Sequence, residues 1–187
     1  MRTLVSAAML ALLTLSAVLA AAPAALAKET RCVGTIGART VDNLRVPQGR
    51  SCTLEGTCVQ GAILVERDAT LRATQVRVIG NVQAEGHRFV SLGNSVVGGS
   101  VQFDQGGAFR VGATRITGAL QVVSNNGESR LNANTVNADI QVFSHTGGIA
   151  ITDNRVDGNL QCKENAPRPT GGGNVVQGNK EDQCARL

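Results

Sequence analysis

The side chains best suited to acid–base or metal chemistry in this chain are its two histidines, His87 and His145. They lie far apart in the sequence, and no cysteine sits beside either one at metal-ligand spacing. We therefore expect both to be surface histidines in corners or loops. The chain also contains no G-x-S-x-G, P-loop or H-E-x-x-H pattern. The sequence thus predicts no catalytic, metal-binding or cofactor-binding residue and no cofactor.

The acidic residues are the next candidates, because glycoside hydrolysis requires two carboxyl groups that flank one bond. Most of the acids considered are scattered along the sequence. Only Asp139 is expected to lie near other acids, namely Asp153 and Asp157 at one corner. A carbohydrate-active enzyme of the polysaccharide lyase or hydrolase type, acting on an extracellular glycan, is therefore the alternative interpretation. A cleft lined by two facing acids would distinguish such an enzyme from a non-catalytic protein. The remaining acids considered are Asp104 and Glu128.

The five cysteines are confined to the two ends of the chain that follows residue 27. Cys32 and Cys52 are 20 residues apart, and Cys162 and Cys184 are 22 residues apart. These two pairs are the disulfide candidates, with Cys58 as the odd thiol. Other pairings stay open, including a link between Cys52 and Cys58.

The N-terminal segment predicts export. Arg2 precedes an apolar run over 4–22, and Ala25 and Ala27 occupy the small-residue positions of a signal-peptidase site. We expect residues 1–27 to be a cleaved secretory signal peptide and residues 28–187 to form one domain. The mature chain would be secreted, or periplasmic in a bacterium with two membranes, and disulfides form in such compartments.

Charge and composition exclude several partner classes. The whole chain has a net charge of +4, and removal of Arg2 with the signal leaves +3. The arginines are scattered singly, and Trp and Tyr are absent. A nucleic-acid platform interleaves bases with aromatic side chains, so we expect no nucleic-acid partner. We also expect no membrane span after signal cleavage.

An internal repeat organises the chain. Six five-residue segments line up with starts 19, 19, 19, 20 and 20 residues apart, and a seventh start follows at Gly178 after 20 more. A β-branched residue precedes each start by two positions. The repeat is too short for a strand–helix–strand unit. The segments are GAILV at Gly61, GNVQA at Gly80, GSVQF at Gly99, GALQV at Gly118, ADIQV at Ala138 and GNLQC at Gly158.

Within each repeat the apolar residues alternate with a period of two, which is typical of half-buried strands. Glycine, asparagine and aspartate fall where corners are needed. We therefore predict an all-β, single-stranded parallel β-helix of about seven coils, each 19–20 residues long. A right-handed coil is favoured by the general preference of parallel crossovers. The last coil carries a Pro- and Gly-rich stretch over 166–173, which we expect to be a surface loop.

One outward position of the repeat is occupied by glutamine in five successive coils. Stacked amides can hydrogen-bond along the axis, so we interpret this column as structural, with a flat polar binding face as the alternative. A shorter column of Asn134, Asn154 and Asn174 is predicted to satisfy backbone groups at a corner. The glutamines are Gln83, Gln102, Gln121, Gln141 and Gln161.

The V-x-G-x-V-x-V pattern with outward polar residues, over Val41 to Gly178, resembles the small β-helix cores of bactofilin-type, polymer-forming proteins and other secreted bacterial β-helices. The resemblance implies a solenoid fold and, from the bactofilins, self-assembly. We expect a non-catalytic structural or interaction protein that presents a rigid polar face. Its partner would be a cell-surface polymer, another envelope protein or a second copy of itself.

Overall fold

Stacked parallel strands make up the whole of the described structure. The computed structural model describes residues 28–187, so the predicted signal peptide lies outside the described residues. Residues 28–187 form an all-β parallel β-helix of about eight turns, with three short strands in most turns and 25 strands within this range, numbered β1 to β25 in chain order. Within residues 28–187 no helix is long and apolar enough to cross a membrane.

Sheet A has nine strands and carries the repeated segments found in the sequence. Each strand pairs in parallel with the equivalent strand of the next turn. Its strands are β1 (Glu29–Arg31), β4 (Asn43–Val46), β7 (Ile63–Val65), β10 (Val82–Glu85), β13 (Val101–Asp104), β16 (Leu120–Val123), β19 (Ile140–Phe143), β22 (Leu160–Lys163) and β25 (Lys180–Asp182).

Sheet B has eight strands and forms the second side of each turn. The last of them lies within the segment predicted as a surface loop, and that prediction is wrong for Thr170 to Gly172, which pair with Ala150 to Thr152. The strands are β2 (Gly34–Ile36), β5 (Ser51–Glu55), β8 (Thr70–Thr74), β11 (Phe89–Gly93), β14 (Ala108–Gly112), β17 (Ser129–Asn132), β20 (Ile149–Thr152) and β23 (Thr170–Gly172).

Sheet C is the narrowest side, with eight strands of two residues each. The β-branched residue that precedes each segment start lies here, facing inward in most turns. The strands are β3 (Thr40–Val41), β6 (Cys58–Val59), β9 (Arg77–Val78), β12 (Val96–Val97), β15 (Arg115–Ile116), β18 (Thr135–Val136), β21 (Arg155–Val156) and β24 (Val175–Val176).

The core is a set of apolar ladders inside the three sheets. Ile63, Val82, Val101, Leu120 and Ile140 follow one another in register in sheet A, and all are fully buried. Equivalent atoms of adjacent turns are about 4.8 Å apart. Because each turn is buried by the turns on either side, the apolar core is continuous although no single turn could form one.

The glycines that begin the repeated segments allow adjacent turns to approach closely at the corner between sheets C and A. A Cβ at Gly80 would lie 2.7 Å from the carbonyl oxygen of Gly61. A Cβ at Gly118 would lie 2.9 Å from the carbonyl oxygen of Gly99. Real Cβ atoms do not come that close, so the repeated glycine reflects a steric requirement of stacking.

Disulfides link the first turns and the last turns. Cys32 pairs with Cys52, with Cα atoms 5.5 Å apart, and Cys162 pairs with Cys184, with Cα atoms 5.2 Å apart. These are the two pairs that the spacing indicated. Cys58 is a free, half-buried thiol. Within residues 28–187 the first and last turns pair with a neighbour on one side only, and cross-links there limit fraying. The right-handed sense of the coil stays a prediction.

A core truncation in β16 tests the ladder. We expect Leu120→Ala, at a fully buried position, to lower the free energy of unfolding by about 2–5 kcal/mol. The matched control is Val123→Ala on the same strand, where the side chain is 38% exposed and the expected change stays within about 0.5 kcal/mol. Urea unfolding followed by circular dichroism measures both. Equal losses would contradict the inward assignment of Leu120.

Candidate functional site

The outer face of sheet A carries the predicted glutamine column as a continuous ladder of side-chain hydrogen bonds. Each amide Nε2 donates to the amide oxygen of the next turn, at 2.9, 2.8, 2.9 and 2.8 Å from Gln83 to Gln161. The last amide donates to a carboxylate oxygen of Glu181 at 2.8 Å. The hydrogen bonding along the axis that was predicted for these glutamines is therefore confirmed.

Glu181 sets the direction of this glutamine ladder. An ionised carboxylate only accepts hydrogen bonds, so Gln161 must donate to it, and each preceding amide then donates in the same sense. At the other end the column continues through Leu64 to Arg45. Arg45 forms ion pairs with Glu29 at 2.9 Å and with Glu66 at 2.6 Å. Arg45 also holds the pKa of Glu66 below its usual value, chiefly through that hydrogen bond.

A shallow groove of about 340 Å³ runs beside the start of the ladder. Gln83, Gln102 and Gln121 line one side of it, and Glu85 and Asp104 line the other. The two acids are register partners on adjacent strands. Sequence reasoning treated the acids as scattered and missed this pair, although Glu85 follows Gln83 by the same two residues by which Asp104 follows Gln102.

The acid cluster suggested around Asp139 has a structural explanation instead. Asp139 accepts a hydrogen bond from the backbone N–H of Asn159 at 2.7 Å. Asp157 lies 4.0 Å from Arg155 and accepts from Gln177 at 3.0 Å. The structure thus gives Asp139 and Asp157 separate hydrogen-bonding partners in separate columns.

The predicted exposure of the two histidines is wrong. His87 is 1% exposed and His145 is 0% exposed. Both lie on the inner side of the corner between sheets A and B, four residues after a ladder glutamine, where Asn125 and Asn165 occupy the equivalent positions of other turns. That common offset of four from Gln83, Gln121, Gln141 and Gln161 was the sequence signal that could have identified an inward column.

The histidines enclose the two buried phenylalanines of the core. Ring centroids are 5.5 Å apart for His87 and Phe103, 4.7 Å for Phe103 and Phe109, and 5.9 Å for Phe109 and His145. The ring of His87 occupies space that a side chain at Gly106 would need. These contacts explain the burial of both imidazoles by packing with aromatic rings.

Burial governs the protonation of both imidazoles. Desolvation lowers the pKa of His87 from 6.5 to about 4. It also lowers the pKa of His145, whose Nε2 is 3.1 Å from the carbonyl oxygen of Gly148. Among residues 28–187, neither ring nitrogen of His87 makes a hydrogen bond of good geometry, although the backbone of Ala84 lies near enough to oppose the shift in pKa. Burial thus favours the neutral form of both imidazoles.

The predicted asparagine column lies inside the corner between sheets B and C and bonds to the backbone as expected. Asn134 Nδ2 donates to the carbonyl oxygen of Val111 at 2.9 Å and to Asn154 Oδ1 at 2.9 Å. Asn154 repeats this pattern with Asn174. Within residues 28–187, no group of three or more His, Cys, Asp or Glu side chains is placed to hold a metal ion.

Comparison with known proteins assigns no family. No family model matches the chain, no curated protein matches it, and no solved structure matches it.

Breaking the ladder at its centre tests its contribution to stability. Gln121→Ala removes the acceptor of Gln102 and the donor to Gln141, so we expect a loss of about 1 kcal/mol in the free energy of unfolding. The control Gln60→Ala removes an exposed glutamine outside the ladder and should change little. Chemical unfolding of both variants measures the difference. Indistinguishable values would show that the amides gain no more from each other than from water.

The buried histidines predict a loss of stability in mild acid. In the unfolded chain the imidazole of His87 has a pKa of 6.5, whereas in the folded protein its pKa is about 4. The contribution of neutral His87 to the free energy of unfolding is therefore fully present above pH 6.5. It falls as the pH drops towards 4, by about 1.4 kcal/mol per pH unit at most. His145 acts in the same direction.

Unfolding measured between pH 7 and pH 5 checks this expectation, since carboxylates titrate mostly below that range. The comparison is His87→Asn with His145→Asn, because asparagine occupies the equivalent positions 125 and 165. We expect the double variant to lose the dependence on pH over this interval. An unchanged slope in the double variant would contradict the assignment to these imidazoles.

Proposed function

We propose that the protein is a non-catalytic structural or interaction protein of the cell exterior, which presents a rigid polar β-helix face to a cell-surface polymer. The observation that carries this proposal is the uninterrupted hydrogen-bond ladder from Gln83 to Glu181. It fixes the geometry of one face over six turns. Each amide keeps a second N–H and free lone pairs, and these groups face the solvent at regular intervals of about 4.8 Å.

Two further observations support an exterior location and a rigid scaffold. The disulfides Cys32–Cys52 and Cys162–Cys184 are compatible with an extracellular or periplasmic compartment. They also fasten both ends of the rod, where an unfastened turn would fray. The predicted signal peptide is in accord with this location.

The edges of the rod argue for a separate polymer partner over a filament of this chain. The terminal strand β25 carries Lys180 and Asp182, and β1 carries Glu29 and Arg31 at the opposite end. Charged residues on edge strands oppose edge-to-edge pairing. The C-terminal turn also folds back, since Lys180 Nζ donates to the carbonyl oxygen of Leu187 and the Leu187 side chain is buried.

One observation favours a second candidate function, a glycan-cleaving enzyme. Glu85 and Asp104 face the groove from strands about 4.8 Å apart. Retaining glycosidases place two carboxyl groups about 5–5.5 Å apart. Both side chains here are exposed, whereas a general acid usually has a pKa raised by a less polar environment. This difference makes the enzyme the second candidate.

Light scattering coupled to size exclusion, together with a glycan-degradation screen, tests the proposal. We expect the oxidised protein to be a monomer and to release no product from acidic polysaccharides. Turnover that is lost in Glu85→Gln combined with Asp104→Asn would replace the proposal by the enzyme. Concentration-dependent filaments would replace the polymer partner by self-assembly.

A further inference from the structure

We infer that a second face of the rod, opposite in charge to the groove, binds an anionic polysaccharide that lies along the rod axis. This inference rests on the proposed function and names the chemistry of its partner. The surface is the arginine face, defined as the exposed side chains of Arg72, Arg110 and Arg130 on sheet B and of Arg77 and Arg115 on sheet C.

The register of the strands brings these arginines together although they are scattered in the sequence. In the outward column of sheet B, Arg72 is followed by Ser91, Arg110 and Arg130. In sheet C the column runs from Arg77 through Val96 to Arg115. Arg72 and Arg77 belong to one turn, and Arg110 and Arg115 belong to another turn two steps further along.

Two of the three steps between arginines carry a shorter side chain, whereas Arg110 and Arg130 are direct register partners. Two steps along the axis correspond to about 10 Å, so Arg77 and Arg115 form a row with Val96 between them. On sheet B, Ser91 separates Arg72 from Arg110 in the same way. The arginine face therefore offers two columns of positive charge along the axis, with steps of one or two turns on sheet B and of two turns on sheet C, which suits an extended polymer with repeated anions.

Within residues 70–136 the acidic residues lie outside sheets B and C, whereas Glu55 lies on sheet B one turn earlier. The four successive segments that contribute sheets B and C here contain no aspartate or glutamate. Within residues 28–187, none of the five arginines has a carboxylate within 4.0 Å, whereas Arg45 and Arg155 do. Glu85 and Asp104 lie on sheet A. The acid-free segments are 70–78, 89–97, 108–116 and 129–136.

Uncompensated charges on one face are expected to attract a polyanion, and guanidinium groups pair with carboxylate or sulfate through two parallel hydrogen bonds. A nucleic acid fits the face less well. The one aromatic ring on its sheet B side, Phe89, is covered by the guanidinium of Arg72 at 4.8 Å. No free ring remains among these strands on which a base could stack.

The test uses the oxidised protein with alginate and dextran sulfate as probes, and neutral dextran and duplex DNA as comparisons. The variant is Arg110→Gln, Arg115→Gln and Arg130→Gln combined. The matched control removes the same charge elsewhere, through Arg31→Gln, Arg67→Gln and Arg88→Gln, which are exposed residues of sheet A and the corner between sheets A and B. Binding is measured by isothermal titration at two salt concentrations, with thermal unfolding to show that each variant is folded.

We expect at least one anionic glycan to bind, to be weakened by salt, and to lose about tenfold or more in affinity in the variant but not in the control. Equal affinities in the variant and the control would overturn the inference, as would equal binding of neutral dextran. Tighter binding of duplex DNA would make the partner a nucleic acid. A salt-sensitive dimer abolished by the variant, without glycan binding, would make it a second copy.

These outcomes are separate from those for the proposed function. If the glycan binds and is also cleaved, the arginine face stands and the non-catalytic function fails. If the protein is inert and monomeric but binds no anionic glycan, the arginine face fails and the structural function stands.

Discussion

The parallel hydrogen bonds between successive turns are the constraint on which the rest of the molecule depends. They place each residue directly above its counterpart, which is 14 positions away between β1 and β4 and 18 to 20 positions away in the other turns, about 4.8 Å along the axis. Each side chain therefore contacts the side chain at the equivalent position of the next turn. Leu120 packs between Val101 and Ile140 for the same reason that Gln121 bonds to Gln102 and Gln141.

That constraint also explains why the two ends differ from the middle. A turn in the middle gains burial and hydrogen bonds from both neighbours, whereas β1 and β25 gain them from one. The chain compensates with disulfides that join the end turns, and with Gln183, which accepts hydrogen bonds from Asn165 at 2.9 Å. The glutamine ladder ends in the same way, in the acceptor Glu181.

The features that could be predicted from the sequence are those in which one residue type recurs at the same position of successive turns. Gln83 and its equivalents recur as one amino acid, so both the column and its bonding could be predicted. His87 and His145 share their column with Asn125 and Asn165, and a mixed column gives no such signal. Both imidazoles pack against the buried rings of Phe103 and Phe109. Such packing follows from three-dimensional neighbours, which the repeat alone does not specify.

Strand β23 shows a second reason for a wrong prediction. Its sequence, Thr170 to Gly172, follows two prolines and has little strand propensity. The strand forms because β20 offers an open row of backbone groups at the required spacing, and the backbone of the next turn pairs with it. The turns before Gly61, which the prediction of about seven coils left out, bring the total to about eight.

The positions of the corners also decide which charges share a face. Arg72 and Arg77 are five residues apart and lie on neighbouring sheets, on either side of the corner that joins sheets B and C. Glu85 and Asp104 are 19 residues apart and lie next to one another. Any chemistry on this scaffold is therefore repeated along the axis and segregated around it. The polymer partner that we propose shares this geometry, because it too is linear and repetitive.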